Sequence, residues 1–172
     1  MALSFRHATA ADATVVAQLV NAAYRPGAEP RGWTHEAHLI AGSRTSEDQV
    51  RALLAGTDIL LGYIEDRVIS CVQIEQRGRD AYIGMLAVAP ECQGAGLGTA
   101  TLAHAETYAA KVKGVERFLM LVVSARDELI AFYRSRGYRD SGERRSYPVG
   151  SGVGTPRGAG LELLVLYKPA AG

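Results

Sequence analysis

The chain is predicted to be an α/β (α+β) protein, a mixed sheet flanked by helices. Three observations predict it. First, the apolar run Tyr82 to Val88 breaks at Pro90 into a glycine-rich turn, Gln93-Gly94-Ala95-Gly96-Leu97-Gly98-Thr99, and a long alanine-rich segment follows. Strand, tight turn and helix start therefore succeed one another. Second, helix-period segments and short apolar runs alternate in the order β-α-α-β-β-β-α-β-α-β-β. Third, Phe118-Leu119-Met120-Leu121-Val122-Val123 is unbroken, as expected of a strand covered on both faces.

In chain order, Phe5 to Ala8 reads as a first edge strand. Thr9-x-x-Asp12 has the form of a capping box. Behind it Val15, Val16, Leu19, Val20 and Ala23 repeat at helical spacing, giving an amphipathic helix over about 10–24. Arg25-Pro26-Gly27 and Pro30 stop it. Ser46-x-x-Gln49 caps a second helix that turns Val50, Leu53 and Leu54 inward and ends at Gly56. Ile59 to Ile64 and Val68 to Ile74 are strands around the hairpin turn Glu65-Asp66-Arg67. Gln76 to Asp80 turns the chain into the strand Ala81 to Val88. The helix after the glycine turn runs from about Leu97 to Lys113. Arg117 to Val123 is the next strand, and Ser124-x-x-Asp127 caps a helix that Gly137 ends. Tyr138 to Tyr147 is a strand, Gly150 to Gly160 a flexible glycine-rich loop, and Leu161 to Lys168 closes the sheet.

The 172 residues are expected to form one domain, 1–172, with 48% hydrophobic and 22% charged residues, ordinary for a soluble globular protein. A net charge of +1 gives no reason to expect nucleic-acid or membrane partners. No apolar run approaches the ~20 residues of a spanning helix, and the N-terminus lacks the apolar core of a signal peptide. The expected location is therefore cytoplasmic, with Cys71 and Cys92 as free thiols. No metal motif is present. His35-Glu36-Ala37-His38 places its histidines three apart, not four as in the zincin helix.

A strand that ends in a glycine turn and a helix start aims several backbone N–H groups at one point, where the positive helix end favours phosphate. The P-loop is excluded, because no Lys-Ser or Lys-Thr occurs in the chain. The dinucleotide fingerprint fits poorly: the third glycine of Gly94-Ala95-Gly96-Leu97-Gly98 comes one place early. The pattern Gln/Arg-x-x-Gly-x-Gly/Ala is matched by Gln93-Gly94-Ala95-Gly96-Leu97-Gly98, and it resembles the acetyl-coenzyme A loop of the GCN5-related N-acetyltransferases (GNAT). About 40 residues on, Ala131-Phe132-Tyr133-Arg134-Ser135-Arg136-Gly137-Tyr138 resembles the family's late helix and the Gly-Tyr/Phe that ends it. The resemblance spans about Phe5 to Lys168. It implies a mostly antiparallel sheet of about seven strands with about four helices.

It also implies roles. The pyrophosphate of acetyl-CoA would be held by the N–H groups of 94–99, with Gln93 alongside. The pantetheine arm would lie along Leu86, Ala87 and Val88, within an acetyl-CoA segment 86–99. The Leu86 N–H would polarise the thioester carbonyl, and Tyr133 matches the acid that protonates the leaving thiolate. Residues 25–45, which include the only tryptophan, match the segment over the acceptor site. Trp33, Glu36, His38 and Arg44 are its candidates, with Tyr82 where some members place a glutamate. Seven residues before Tyr133, Arg126 stands where many members have an asparagine on the cofactor, and an arginine there could reach a phosphate. The general base is open, with Glu36, His35 and His38 as alternatives.

The resulting expectation is acetyl transfer from acetyl-CoA to the primary amine of a small molecule, directly in a ternary complex. The alternatives are protein N-terminal or lysine acetylation, and a non-catalytic acyl-CoA-binding module. Pairing into a homodimer is a further expectation from the resemblance.

Overall fold

The computed structural model describes residues 2–26, 35–158 and 160–170. Seven strands form one sheet: β1 (Ser4–His7), β3 (Asp58–Ile64), β4 (Arg67–Arg77), β5 (Asp80–Val88), β6 (Arg117–Val123), β7 (Arg139–Ser146) and β9 (Glu162–Pro169). Their spatial order is β1-β3-β4-β5-β6-β9-β7. Every pairing is antiparallel except β5 with β6. A two-stranded ladder joins β2 (Ile40–Ala41) to β8 (Thr155–Pro156). The helices are α1 (Ala13–Tyr24), α2 (Glu47–Leu54), α3 (Leu97–Lys111) and α4 (Asp127–Arg134).

Strand alternation sorts the core into two layers, because successive side chains leave opposite faces of a strand, and an extra residue in β5 between Gly84 and Ala87 reverses its phase there. Leu60, Val72, Ile74 and Ile83 join Leu102, Ala105 and Ala109 of α3 and Ile130 of α4 on one face. Ile59, Leu61, Cys71 and Met85 join Val16 and Val20 of α1 and Val50 of α2 on the other. On the α3 face a polar tie crosses to the sheet: buried Thr101 donates to Ser70 Oγ at 2.8 Å.

The local signals mostly sit where expected. The Thr9 N–H donates to Asp12 Oδ2 at 2.8 Å, ahead of a short 3₁₀ turn (Ala10–Asp12) that leads into α1. Ser46 Oγ accepts from the Gln49 N–H at 3.2 Å. Gly137, with φ 97°, follows α4 in the left-handed region.

Four expectations need correction. Ser124 does not cap α4. Its N–H donates to the Glu162 carbonyl in the sheet, and the helix starts later, after Arg126. The 150–160 segment is not all loop, since Thr155 and Pro156 pair with Ala41 and Ile40. Helix α3 ends at Lys111, leaving Val112 exposed. Finally, β6 is not covered throughout: Leu121 is 42% exposed, and it faces the cleft described next.

Two irregularities make that cleft. The β4–β5 register runs from Gln73↔Gly84 to Cys71↔Ala87, so β5 carries one residue more than β4 over this step, a β-bulge. Met85 sits in it at φ 47°, a strained conformation for a non-glycine residue. The Cys71 thiol reaches the Met85 carbonyl at 3.5 Å. On the other edge, β5 pairs with β6 only through Asp80, Ala81 and Tyr82. Beyond Tyr82 the two parallel strands part.

Candidate active site

The parting of β5 from β6 opens two cavities, of about 310 Å³ and about 270 Å³. The first runs past Ala87, Val88 and Gln93 to the glycine turn. The second lies on the far side, against Tyr82, Leu121 and the segment after β7. Five residues line both: Tyr24, Leu86, Arg126, Leu129 and Tyr133. The cavities therefore meet at the bulge of β5 and the inner face of α4.

The glycine turn is built as a cradle. Gly94 and Gly96 adopt φ 85° and 79°, and no atom lies within 4 Å of where a Cβ would stand on either. Left-handed backbone thus sets the loop's path, and empty space lies above it. Gly96 is the residue before α3, so the first N–H groups of a 15-residue helix open onto this cavity. Gln93 is turned back, its Nε2 donating to the Val88 carbonyl at 3.1 Å. It closes the corner between β5 and the turn.

Arg136 is a residue that the sequence reading left without a role. It lines the first cavity, donates from Nε to Thr99 Oγ1 at 3.0 Å and from Nη1 to the Phe132 carbonyl at 2.8 Å, and lies 3.6 Å over the Phe132 ring. A fixed guanidinium thus stands beside the helix start, the arrangement that binds phosphate. Its place in the motif was visible, but its orientation towards Thr99 depends on the turn after α4 lying against the first turn of α3.

At the junction, Tyr133 is 5% exposed. Burial pushes its phenol well above the ordinary tyrosine range, Tyr24 adds to the shift, and Arg126 and Arg136 oppose it. The phenol is therefore in its protonated, donor form at any working pH. Tyr24 is likewise raised by burial. Leu86 follows the bulge, on the β5 edge that has left its register with β6.

The expected acceptor residues divide. Glu36, Arg44 and Tyr82 line the second cavity together. His38 does not; it borders a separate shallow groove with Ser124 and Arg157. Trp33 lies outside the described residues. Glu36 is 3% exposed and held by Arg25, with Nη2 2.6 Å and Nε 3.0 Å from Oε2. Arg126 Nη1 stands 3.5 Å from Oε1. Arg126 thus lines both cavities while turned towards Glu36. Tyr82 carries Arg77 4.6 Å over its ring and accepts from Arg145 Nη2 at 3.2 Å.

Glu75 also lines this cavity and pairs directly with Tyr82 in the β4–β5 register. Its carboxylate meets Arg77 at 3.0 Å in a pair open to water on both sides. Nothing in the local sequence marks it, because only strand pairing brings it to Tyr82. Among the described residues no group of three His, Cys, Asp or Glu is placed to hold a metal, and no helix is long and apolar enough to cross a membrane.

Comparison with known proteins places this geometry. No curated protein is significantly similar in sequence. Among solved structures, the ribosomal-protein-S18-alanine N-acetyltransferase of Escherichia coli aligns with TM-score 0.73 at 17% identity, over 99% of this chain and 96% of its own. The PaiA N-acetyltransferase of Thermoplasma acidophilum, in complex with coenzyme A, aligns with TM-score 0.73 at 15% identity, over 98% and 99%. A GNAT family acetyltransferase of Elizabethkingia anophelis with acetyl-CoA bound gives TM-score 0.63 at 15% identity, over 97% of each chain. At such identities the likeness is one of fold. The family model "Acetyltransferase (GNAT) family" matches residues 18–138, a stretch that holds the bulged strand, the glycine turn and Tyr133. The chain belongs to the GNAT acetyltransferase family.

Proposed function

We propose that the protein is an acetyl-CoA-dependent N-acetyltransferase that moves the acetyl group to the primary amine of a small molecule, directly in a ternary complex. One observation carries this reading: two cavities of different chemistry meet at Leu86 and Tyr133. The first offers an empty glycine cradle, a helix start and Arg136, which suit a pyrophosphate. The exposed edge of β5 suits the amide groups of a pantetheine arm, which would pair with it as another strand does.

In this reading the thioester carbonyl lies at the bulge, and the Leu86 N–H donates to the oxygen on which negative charge develops. The amine enters from the second cavity and attacks the carbonyl carbon. Its C–N bond forms as the C–S bond breaks, and the thiolate leaves on the side of Tyr133, which gives it a proton. The amine must shed a proton of its own. Both carboxylates are arginine-paired, Glu36 in a buried group with Arg25 and Arg126 and Glu75 with Arg77. The Glu75 pair is the one open to water, so Glu75 is assigned to accept that proton through water. Glu36, Arg44, Tyr147, Pro148 and Val153 all wall this cavity, which favours a compact acceptor over an extended peptide.

The test is thermal unfolding with acetyl-CoA, free CoA and NAD, followed by thiol release over a panel of amines. Ligand at 100 times its Kd adds about 2.7 kcal/mol. Stabilisation by both CoA forms but not NAD is expected, and its absence would remove the reading. Stabilisation with no thiol release from any amine would leave a binding module instead.

A further inference from the structure

The second cavity is lined by four arginines, Arg44, Arg77, Arg126 and Arg145, against two glutamates, Glu36 and Glu75. Most of these charges are matched. Glu36 is shared by Arg25 and Arg126, Glu75 pairs with Arg77, and Arg145 pairs with Glu143. Arg44 differs. Among the described residues no carboxylate pairs with it, and its guanidinium lies 5.6 Å from the centre of the Tyr24 ring.

Arg44 is also held in place. Its backbone N–H and that of Thr45 both donate to Asn21 Oδ1, at 2.8 and 3.1 Å, and Asn21 Nδ2 donates back to the Thr45 carbonyl at 3.0 Å. Helix α1 thus clamps the chain at the root of this side chain. An aromatic ring beneath it leaves a planar fork of N–H donors that suits a carboxylate or phosphonate. A half-buried cation that lines a cavity and pairs with no carboxylate among the described residues is stabilised by an anion from the ligand.

We propose that the acceptor is an amine that also carries an anionic group, a carboxylate or phosphonate, and that Arg44 receives that group. The proposal rests on the acetyltransferase reading above and names its substrate class. The same surplus of arginines disfavours polyamines, whose additional ammonium groups would meet like charge in the cavity. A zwitterionic acceptor brings its own balance, so that only the amine end needs to lose charge before attack.

The experiment compares matched pairs at saturating acetyl-CoA: L-phenylalanine with phenethylamine, L-leucine with isoamylamine, and 2-aminoethylphosphonate with ethylamine, with spermidine as the cationic extreme. Loss of a charge-assisted hydrogen bond corresponds to about ten- to a hundredfold in kcat/KM, so each acidic member should exceed its partner by that factor. Arg44→Gln should collapse the ratio within each pair while calorimetric affinity for CoA stays within threefold. Arg44→Lys, which keeps the charge, should retain a preference in the same direction, and an unfolding curve for each variant separates misfolding from lost recognition.

Failure of CoA to stabilise the protein would overturn the acetyltransferase reading itself. CoA binding with a preference for phenethylamine or spermidine would overturn only the anionic acceptor. So would the absence of both turnover and calorimetric binding of every acidic amine to the CoA-bound protein, or a within-pair ratio that survives Arg44→Gln.

Discussion

Arg25 and Glu36 form a buried ion pair in which both Nη2 and Nε of the arginine reach the same carboxylate oxygen, at 2.6 and 3.0 Å. The arginine also donates to the Gly42 carbonyl at 3.1 Å and to the Tyr147 hydroxyl at 2.8 Å. Arg126 completes the group from the start of α4. The Arg25–Glu36 pair thus joins the end of α1, the turn before β2, the segment after β7 and the entrance to α4. Glu36 organises the acceptor cavity, and its charge is already committed.

The first prediction concerns that commitment. Glu36→Ala would leave two guanidinium groups buried beside each other, and breaking a buried pair costs about 3–5 kcal/mol. Urea denaturation of the variant should show a loss in this range. A loss below about 1 kcal/mol would mean that the arginines find water or another partner, and that Glu36 is no hub.

Tyr133→Phe should lower kcat by ~10²–10³ and leave CoA affinity nearly unchanged. Because burial raises the phenol's pKa, its acid form persists as pH rises through the ordinary tyrosine range. The wild-type kcat profile should therefore show no falling limb below about pH 10 that Tyr133→Phe abolishes. Equal losses in kcat and in CoA affinity would make Tyr133 a packing residue.

Arg136→Ala should weaken CoA binding about ten- to a hundredfold, the worth of a charge-assisted contact to phosphate. The comparison is Arg136→Lys, which keeps a point charge and should recover part of the affinity. Isothermal calorimetry decides. Unchanged affinity in the alanine variant would move the phosphates away from Thr99 and Arg136.

The two thiols should react differently. Cys71 is buried, desolvation pushes its pKa up to about 12, and it faces the Met85 carbonyl. Cys92 is half-buried in the turn after Pro90. A disulfide reagent at pH 8 should titrate Cys92 in the native protein and Cys71 only after denaturation. Rapid native reaction at Cys71 would show that the bulge opens readily.

The fold was largely legible because its signals are local. The helical spacing of Val16, Leu19, Val20 and Ala23, the unbroken Phe118–Val123 run and the left-handed glycines 94 and 96 each act over a few residues. They read the same in any tertiary context that preserves them. The β2–β8 ladder was missed because Ile40 and Pro156 are far apart in the chain and neither stands in a strand-like run. The capping role expected of Ser124 failed for a similar reason: pairing with the distant β9 continues through Ser124, and α4 starts only after Arg126.

The sequence by itself determined the α/β class, the glycine cradle before α3 and the position of Tyr133 on a helix ended by Gly137. Tertiary structure decided what those parts face. Pairing of β4 with β5 put Glu75 opposite Tyr82, the docking of the turn after α4 on the start of α3 brought Arg136 to Thr99, and the burial of Glu36 between Arg25 and Arg126 turned a candidate base into a structural hub. The physical reason is the range of the interactions. Helix periods, caps and turns are set by neighbours in the chain, whereas charge partners and cavity walls come from residues that only folding brings within a few ångströms.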